Sequence, residues 1–326
     1  MNHTIIKAVC AELNLQPNQI TPIEGGYQNH IFRIDIGGKR KILRLSSERT
    51  RSKNEILSEI LWCQSLFQKG ISVAKVLEIS DSEIVCSINV DKAVYHAVLF
   101  EEVSGRKLSY SEYLNNEQMF AMLGDFTGRI HLHSQEFIKN NLICRPLWNE
   151  NSYLKRFKQL VSFEETELHR AYDSVIKELN AHHQDKSNFG LIHGDINVGN
   201  FHVSDNHIIM YDFDECQFSW YVEDIAIQLF YTVYVYGEDI KNQRIDQGRK
   251  FMKSFLDAYK KNRSISDDEL AMIPLFLRLR EIIVYTGILM KWDFDNLNPW
   301  QRDYLRETKK RICLQIPLLK LDEIIR

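Results

Sequence analysis

Asp195, Asn200, Asp212 and Asp214 are the residues of this chain whose types and spacing could do chemistry. They fall in Ile192-His193-Gly194-Asp195-Ile196-Asn197-Val198-Gly199-Asn200 and, twelve residues on, Asp212-Phe213-Asp214. Carboxylate and amide oxygens are hard donors. A cation such as Mg²⁺ takes one or two of them and completes its octahedron with water and nucleotide phosphates. With Asp195 free to receive a proton from an attacking hydroxyl, the segment points to metal-assisted phosphoryl transfer. His193 is expected to brace the loop as a buried, hydrogen-bonded imidazole. Asp214 either supports the site or caps the turn.

These residues need a frame. Leu191-Ile192 and Ile208-Ile209-Met210-Tyr211 bracket a polar stretch, which predicts a β-turn-β excursion between 191 and 211 holding Asp195, Asn200 and Asp212 along one rim. Upstream, Ile20 to Leu45 reads as strands, with Gly37-Gly38 as a two-residue hairpin signal. A helix from Glu55 to Phe67 is stopped by Gly70. Strands are then expected over Val73 to Leu77, Glu83 to Val90 and Ala93 to Glu101, giving a small antiparallel sheet with one inserted helix. Beyond Gly105 the period becomes helical. Met119, Met122, Leu123, Phe126 and Ile130 share one face, and Tyr153 to Leu179 holds one or two further helices. Ser266-x-x-Glu269 is a capping box, and Asn298-Pro299 is an N-cap followed by Pro at the first helical position.

Composition bounds the function. The 326 residues carry a formal net charge of −3, with 44% apolar and 11% aromatic side chains, which excludes disorder and low-complexity repeats. So balanced a charge leaves no basic footprint for nucleic acid. The longest apolar stretch, Ile282 to Met290, is far short of the roughly 20 residues that span a bilayer. Met1 to Ile20 lacks the pattern of an export signal. The six cysteines never lie within four residues of each other, so they form no zinc pair or CxxC motif and are expected as reduced thiols in the cytoplasm.

His193-Gly194-Asp195 with Asn200, followed by Asp212-Phe213-Asp214, resembles the signature of the aminoglycoside phosphotransferase and choline kinase superfamily, relatives of the protein kinases. The branch with homoserine kinase-like, hydroxylysine kinase-like and stress-response kinases is the most similar. The resemblance implies an α+β, protein kinase-like two-lobe fold. Its N-terminal nucleotide-binding lobe, 1–102, would hold a small antiparallel sheet plus a helix. A mostly helical lobe, 103–326, would carry the catalytic loop and the acceptor site. It implies ATP and Mg²⁺ as cofactors, Asp195 as catalytic base with His193 and Gly194 shaping its loop, Asn200 and Asp212 as metal ligands, and Asp224 as a structural support. Gly25 and Gly26 stand where the family folds a turn over the triphosphate. Arg44 stands where it expects a phosphate-gripping cation, oriented by Glu59 or, one turn earlier, Glu55. Glu101 and Val103 flank the hinge whose backbone would bind adenine.

The implied activity is transfer of the γ-phosphate to a hydroxyl of a small amino alcohol, hydroxy amino acid or sugar-like metabolite. A Ser/Thr protein kinase, an aminoglycoside-modifying enzyme and a silent nucleotide-binding pseudokinase are the alternatives. Gln217, Trp220, Tyr221, Tyr231, Tyr234, Tyr285, Trp292 and Asp293 could line the acceptor site, although aromatic residues at helical spacing more often form core.

Overall fold

The computed structural model describes residues 2–23, 28–80, 83–204 and 207–325. Backbone proximity divides the chain into two compact units. The first comprises 1–107, 140–145 and 201–214, and the second 108–139, 146–200 and 215–326.

The first unit is built on a six-stranded antiparallel sheet. Its strands are β1 (Ile20–Ile23), β2 (His30–Ile36), β3 (Lys39–Ser47), β4 (Val76–Leu77), β5 (Cys86–Val90) and β6 (Ala93–Glu101). They run in the order β1-β2-β3-β6-β4, with β5 also paired to β6. Gly37 and Gly38 join β2 to β3 at φ +62° and +74°, the left-handed pair that a two-residue hairpin needs and that only glycine adopts freely. Successive side chains on a strand face opposite ways, so β3 sends Leu43 and Leu45 to one side of the sheet and Arg44 to the other. Leu43 and Leu45 join a core with Phe32, Ile88, Leu99 and, from the Asn2–Glu12 helix, Ile5 and Val9. Each such side chain, taken fully out of water, contributes about 1.5–3 kcal/mol. On the Arg44 side lies the Lys53–Gln68 helix, capped by a box in which Ser52 and Glu55 satisfy each other's backbone N–H groups.

The second unit is mainly helical. The Ile273–Lys291 helix packs against the Tyr221–Val233, Ser152–Leu160, Thr166–Asn180 and Pro299–Leu314 helices. The capping boxes at Ser266 and Asn298 both form, with Pro299 at the first helical position of its helix.

The expected α+β make-up, a small antiparallel sheet with its helix and a mainly helical remainder, is therefore present, with four corrections to the expected elements. The Asn2–Glu12 helix adds a second helix to the sheet. The strand expected over Val73 to Leu77 shrinks to β4, because the Ala74 and Met210 N–H groups bond across the segment outside any regular ladder. The strand expected from Glu83 begins at Cys86. The largest change concerns 191–211, which is no single β-turn-β excursion. Strand Phe189–Ile192 pairs with Gln217–Trp220, and Phe201–Ser204 forms its own hairpin with His207–Met210. Each apolar half found a closer antiparallel partner than the other half, one of them the unanticipated Gln217–Trp220.

Candidate active site

In the second unit the loop after Phe189–Ile192 is fixed from below. Asp224, fully buried in the first turn of the Tyr221–Val233 helix, accepts the His193 N–H at 2.9 Å on Oδ2 and the Gly194 N–H at 2.8 Å on Oδ1. His131 Nε2 sits 3.1 Å from Oδ2. Burial alone would raise the Asp224 pKa, but His131, His193 and the Gly194 amide hold it below the ordinary aspartate value. Gly194 has φ +81°, and a Cβ there would run into the Glu215 carbonyl, so the position requires glycine. His193 is wholly buried and its Nδ1 accepts the Asp195 N–H at 3.3 Å. The imidazole thus ties two loop residues together.

On this base Asp195 is held at both oxygens. Asn197 and Asn200 donate to Oδ2 at 3.0 and 3.1 Å, and both also donate to the Asp195 carbonyl, at 3.1 and 2.9 Å. Oδ1 accepts from Arg280, of the Ile273–Lys291 helix. Asn200 spends only its amide nitrogen in these bonds, which leaves Oδ1 as the hard oxygen it can present to a cation.

Close to this loop, Glu223 is buried, accepting from Ser219 Oγ and from Gln217 Nε2 at 3.2 Å. Burial, with the charge of Asp224, pushes its pKa up to about 7 against the opposing bond from Ser219. A carboxyl raised in the folded state stabilises it fully below the ordinary value of about 4.5, and that contribution is lost as pH rises to about 7. Glu223→Gln, neutral throughout, should therefore melt higher than the parent at pH 8 and equally at pH 4.5. The difference should be of order 3 kcal/mol in chemical denaturation at the two pH values, since each tenfold change in proton affinity between the folded and unfolded chain is worth about 1.4 kcal/mol and the rise from 4.5 to about 7 spans two to three of them. A pH-independent difference would rule this out.

The first unit assembles a second polar cluster. Arg44 forms a two-pronged ion pair with Glu59, Nη1 to Oε1 and Nη2 to Oε2 both at 2.7 Å, and both side chains are buried. Glu55 is not available for this because its carboxylate serves the Ser52 cap. Burial would lower the Arg44 pKa, yet Glu59, then Asp214 and Asp212, hold it above the usual arginine value. Asp214 is buried, receiving Asn29 Nδ2 at 3.1 Å and Arg51 Nε at 3.3 Å, while its carbonyl accepts from Arg145. Burial alone would raise it, but Arg44, Arg51 and Arg145 keep its pKa below the ordinary range. Asp212 is exposed and left-handed at φ +64°, a conformation aspartate tolerates better than most residues.

Glu101 ends β6 with its N–H donated to the Lys75 carbonyl at 2.9 Å, so any adenine contact there must use its carbonyl. Val103 follows two residues later, half-buried. Gly25 and Gly26 lie outside the described residues.

The geometry thus gathers Asp195, Asn200, His193 and Asp224 around one loop, and Arg44, Glu59, Asp214 and Asp212 into one electrostatic cluster. Of the acceptor-side candidates, Tyr231 is tied to the loop through Arg280, whose Nη2 lies 2.6 Å from the phenol oxygen. Trp220, Tyr221, Gln217 and Tyr285 are core, and Asp293 caps the turn at 294–296. Sequence reasoning missed Arg280, Arg51 and Arg145. Arg280 had a weak signal, a charge among Leu275, Phe276, Leu277, Leu279, Ile282 and Ile283, but Arg278 and Glu281 beside it hide which of the three is buried for a partner.

Amicoumacin kinase of Bacillus subtilis (strain 168) is 26% identical over 297 residues, spanning 90% of this chain and 87% of its own. The solved amicoumacin kinase hAmiN, in complex with AMP-PNP, Ca²⁺ and Ami, superposes with a TM-score of 0.83 at 28% identity, covering 93% of this chain and 90% of its own. A microcompartment-associated aminopropanol kinase shares the fold, with a TM-score of 0.75 at 21% identity over 97% of this chain and all of its own. A phosphotransferase enzyme family matches residues 19–263, which hold both polar clusters. The chain belongs to that family of the aminoglycoside phosphotransferase and choline kinase superfamily, and it is a kinase.

Proposed function

We propose that the chain transfers the γ-phosphoryl group of ATP, bound with Mg²⁺, to a hydroxyl of a small molecule in the reducing cytoplasm. The observation that carries this is Asp195, an aspartate fixed at both oxygens on a loop braced by Asp224. The relatives at 26% and 28% identity are kinases of a small molecule, one of them bound to a nucleotide analogue and Ca²⁺.

Among the described residues no group of three or more His, Cys, Asp or Glu side chains forms a metal cage. An amide oxygen such as that of Asn200 and a carboxylate such as that of Asp212 each suit a cation that keeps waters and phosphates as its other ligands. Held by such donors, the cation would neutralise charge on the transferring phosphoryl group. Asp195 orients the acceptor hydroxyl and takes its proton. Arg44, both of whose prongs are bound to Glu59, keeps Nε and the second N–H of each prong as the donors it would turn to phosphate oxygens. The Glu101 carbonyl and Val103 N–H bind the adenine edge.

Incubation with γ-labelled ATP and Mg²⁺ tests the reading against small hydroxyl compounds, amicoumacin and aminopropanol included, and generic protein substrates. Label is expected in a small-molecule fraction, only with the divalent cation. Label in protein alone would overturn the assignment.

A further inference from the structure

We propose that Arg280 is the positioning residue for Asp195, fixing which lone pair of its carboxylate meets the acceptor hydroxyl; this rests on Asp195 being the base. Arg280 is more than nine-tenths buried. Its Nη2 donates to Asp195 Oδ1 and to the Tyr231 hydroxyl, and Nη1 stands 3.5 Å from the Gly194 carbonyl. The guanidinium lies 4.9 Å from the centre of the Tyr231 ring, which stops it from turning away.

An ionised carboxylate offers about four lone-pair sites. Asn197 and Asn200 take two on Oδ2 and Arg280 takes one on Oδ1, so one remains to accept a proton. Rotating the Asp195 side chain would break all three bonds. Burying a cation is costly, and a hydrophobic residue of similar size often stabilises a fold as well, so stability alone is a poor reason for an arginine here. Its geometry, one prong on the reacting carboxylate and a planar face against a tyrosine, suits alignment.

A double-mutant cycle on the full chain tests this. Arg280→Met should lower kcat by about 100-fold, the scale of a 1 Å misplacement of a catalytic group, with the nucleotide KM unchanged. Arg280→Lys should recover part of the loss, and Tyr231→Phe should lower kcat several-fold without lowering the melting temperature to match. In an Asp195→Asn background, Arg280→Met should cost nothing further in residual kcat. The same loss in that background, or a rise in acceptor KM with kcat intact, would overturn the proposal. If Arg280→Met does not fold, Tyr231→Phe in the two backgrounds makes the same comparison, and equal losses overturn it. Full turnover by Asp195→Asn itself would remove Asp195 as the base, and this proposal with it, whereas non-additivity missing from an otherwise crippled Asp195→Asn would refute Arg280 alone.

Discussion

Asp195→Asn should lower turnover by about 10²- to 10⁴-fold, the usual worth of a positioned proton acceptor, with nucleotide affinity almost unchanged. The amide nearly matches the carboxylate in shape, so Asn197 and Asn200 retain an oxygen to bond. What it lacks is a basic oxygen for the hydroxyl proton. It also leaves the buried Arg280 facing a neutral group, so the variant should melt below the parent and must be assayed well under that temperature. Single-turnover kinetics beside a nucleotide titration separate the two effects. Equal loss of chemistry and nucleotide binding would contradict the assignment, because a base acts on the transition state and not on the bound nucleotide.

What could be read in the sequence was local. Gly37-Gly38, the Ser266 box and Asn298-Pro299 each dictate a backbone conformation through residues within a few positions, and each forms as expected. Asp195 and Asn200 share a loop because five residues cannot carry them far apart. Even the choice between Glu55 and Glu59 was written locally, since Ser52-x-x-Glu55 is itself a capping box that occupies the nearer acid. The remainder depends on distant segments. Leu191 pairs with Phe218 instead of with the 208–211 strand, and no periodicity within 191–211 encodes that competition. Asp195 meets Arg280 across 85 positions, and Asp214 meets Arg51 across 163. Nothing near Arg51, in the polar stretch Ser46 to Asn54, or near Asp195 marks either residue's distant partner.

Asp212→Asn should cost more nucleotide affinity than the roughly 10- to 100-fold typical of losing a mere outer partner of a metal. Asparagine is the right replacement because it tolerates the left-handed backbone at φ +64°, so the fold is spared while the charge is removed. Asn200→Ala should act in the same direction and more weakly, a neutral oxygen being a poorer donor to a hard cation than a carboxylate. Both variants leave the two Arg44–Glu59 bonds in place, and Asp212 is the last and smallest of the charges holding Arg44, so both should remain folded. The most direct test is calorimetric titration of the parent chain with AMP-PNP in Mg²⁺ and again in EDTA, repeated for Asp212→Asn. Binding that requires the divalent cation in the parent and collapses in the variant is the predicted result. Equal affinity in EDTA, or an Asp212→Asn chain that binds the magnesium complex as tightly as the parent, would contradict it.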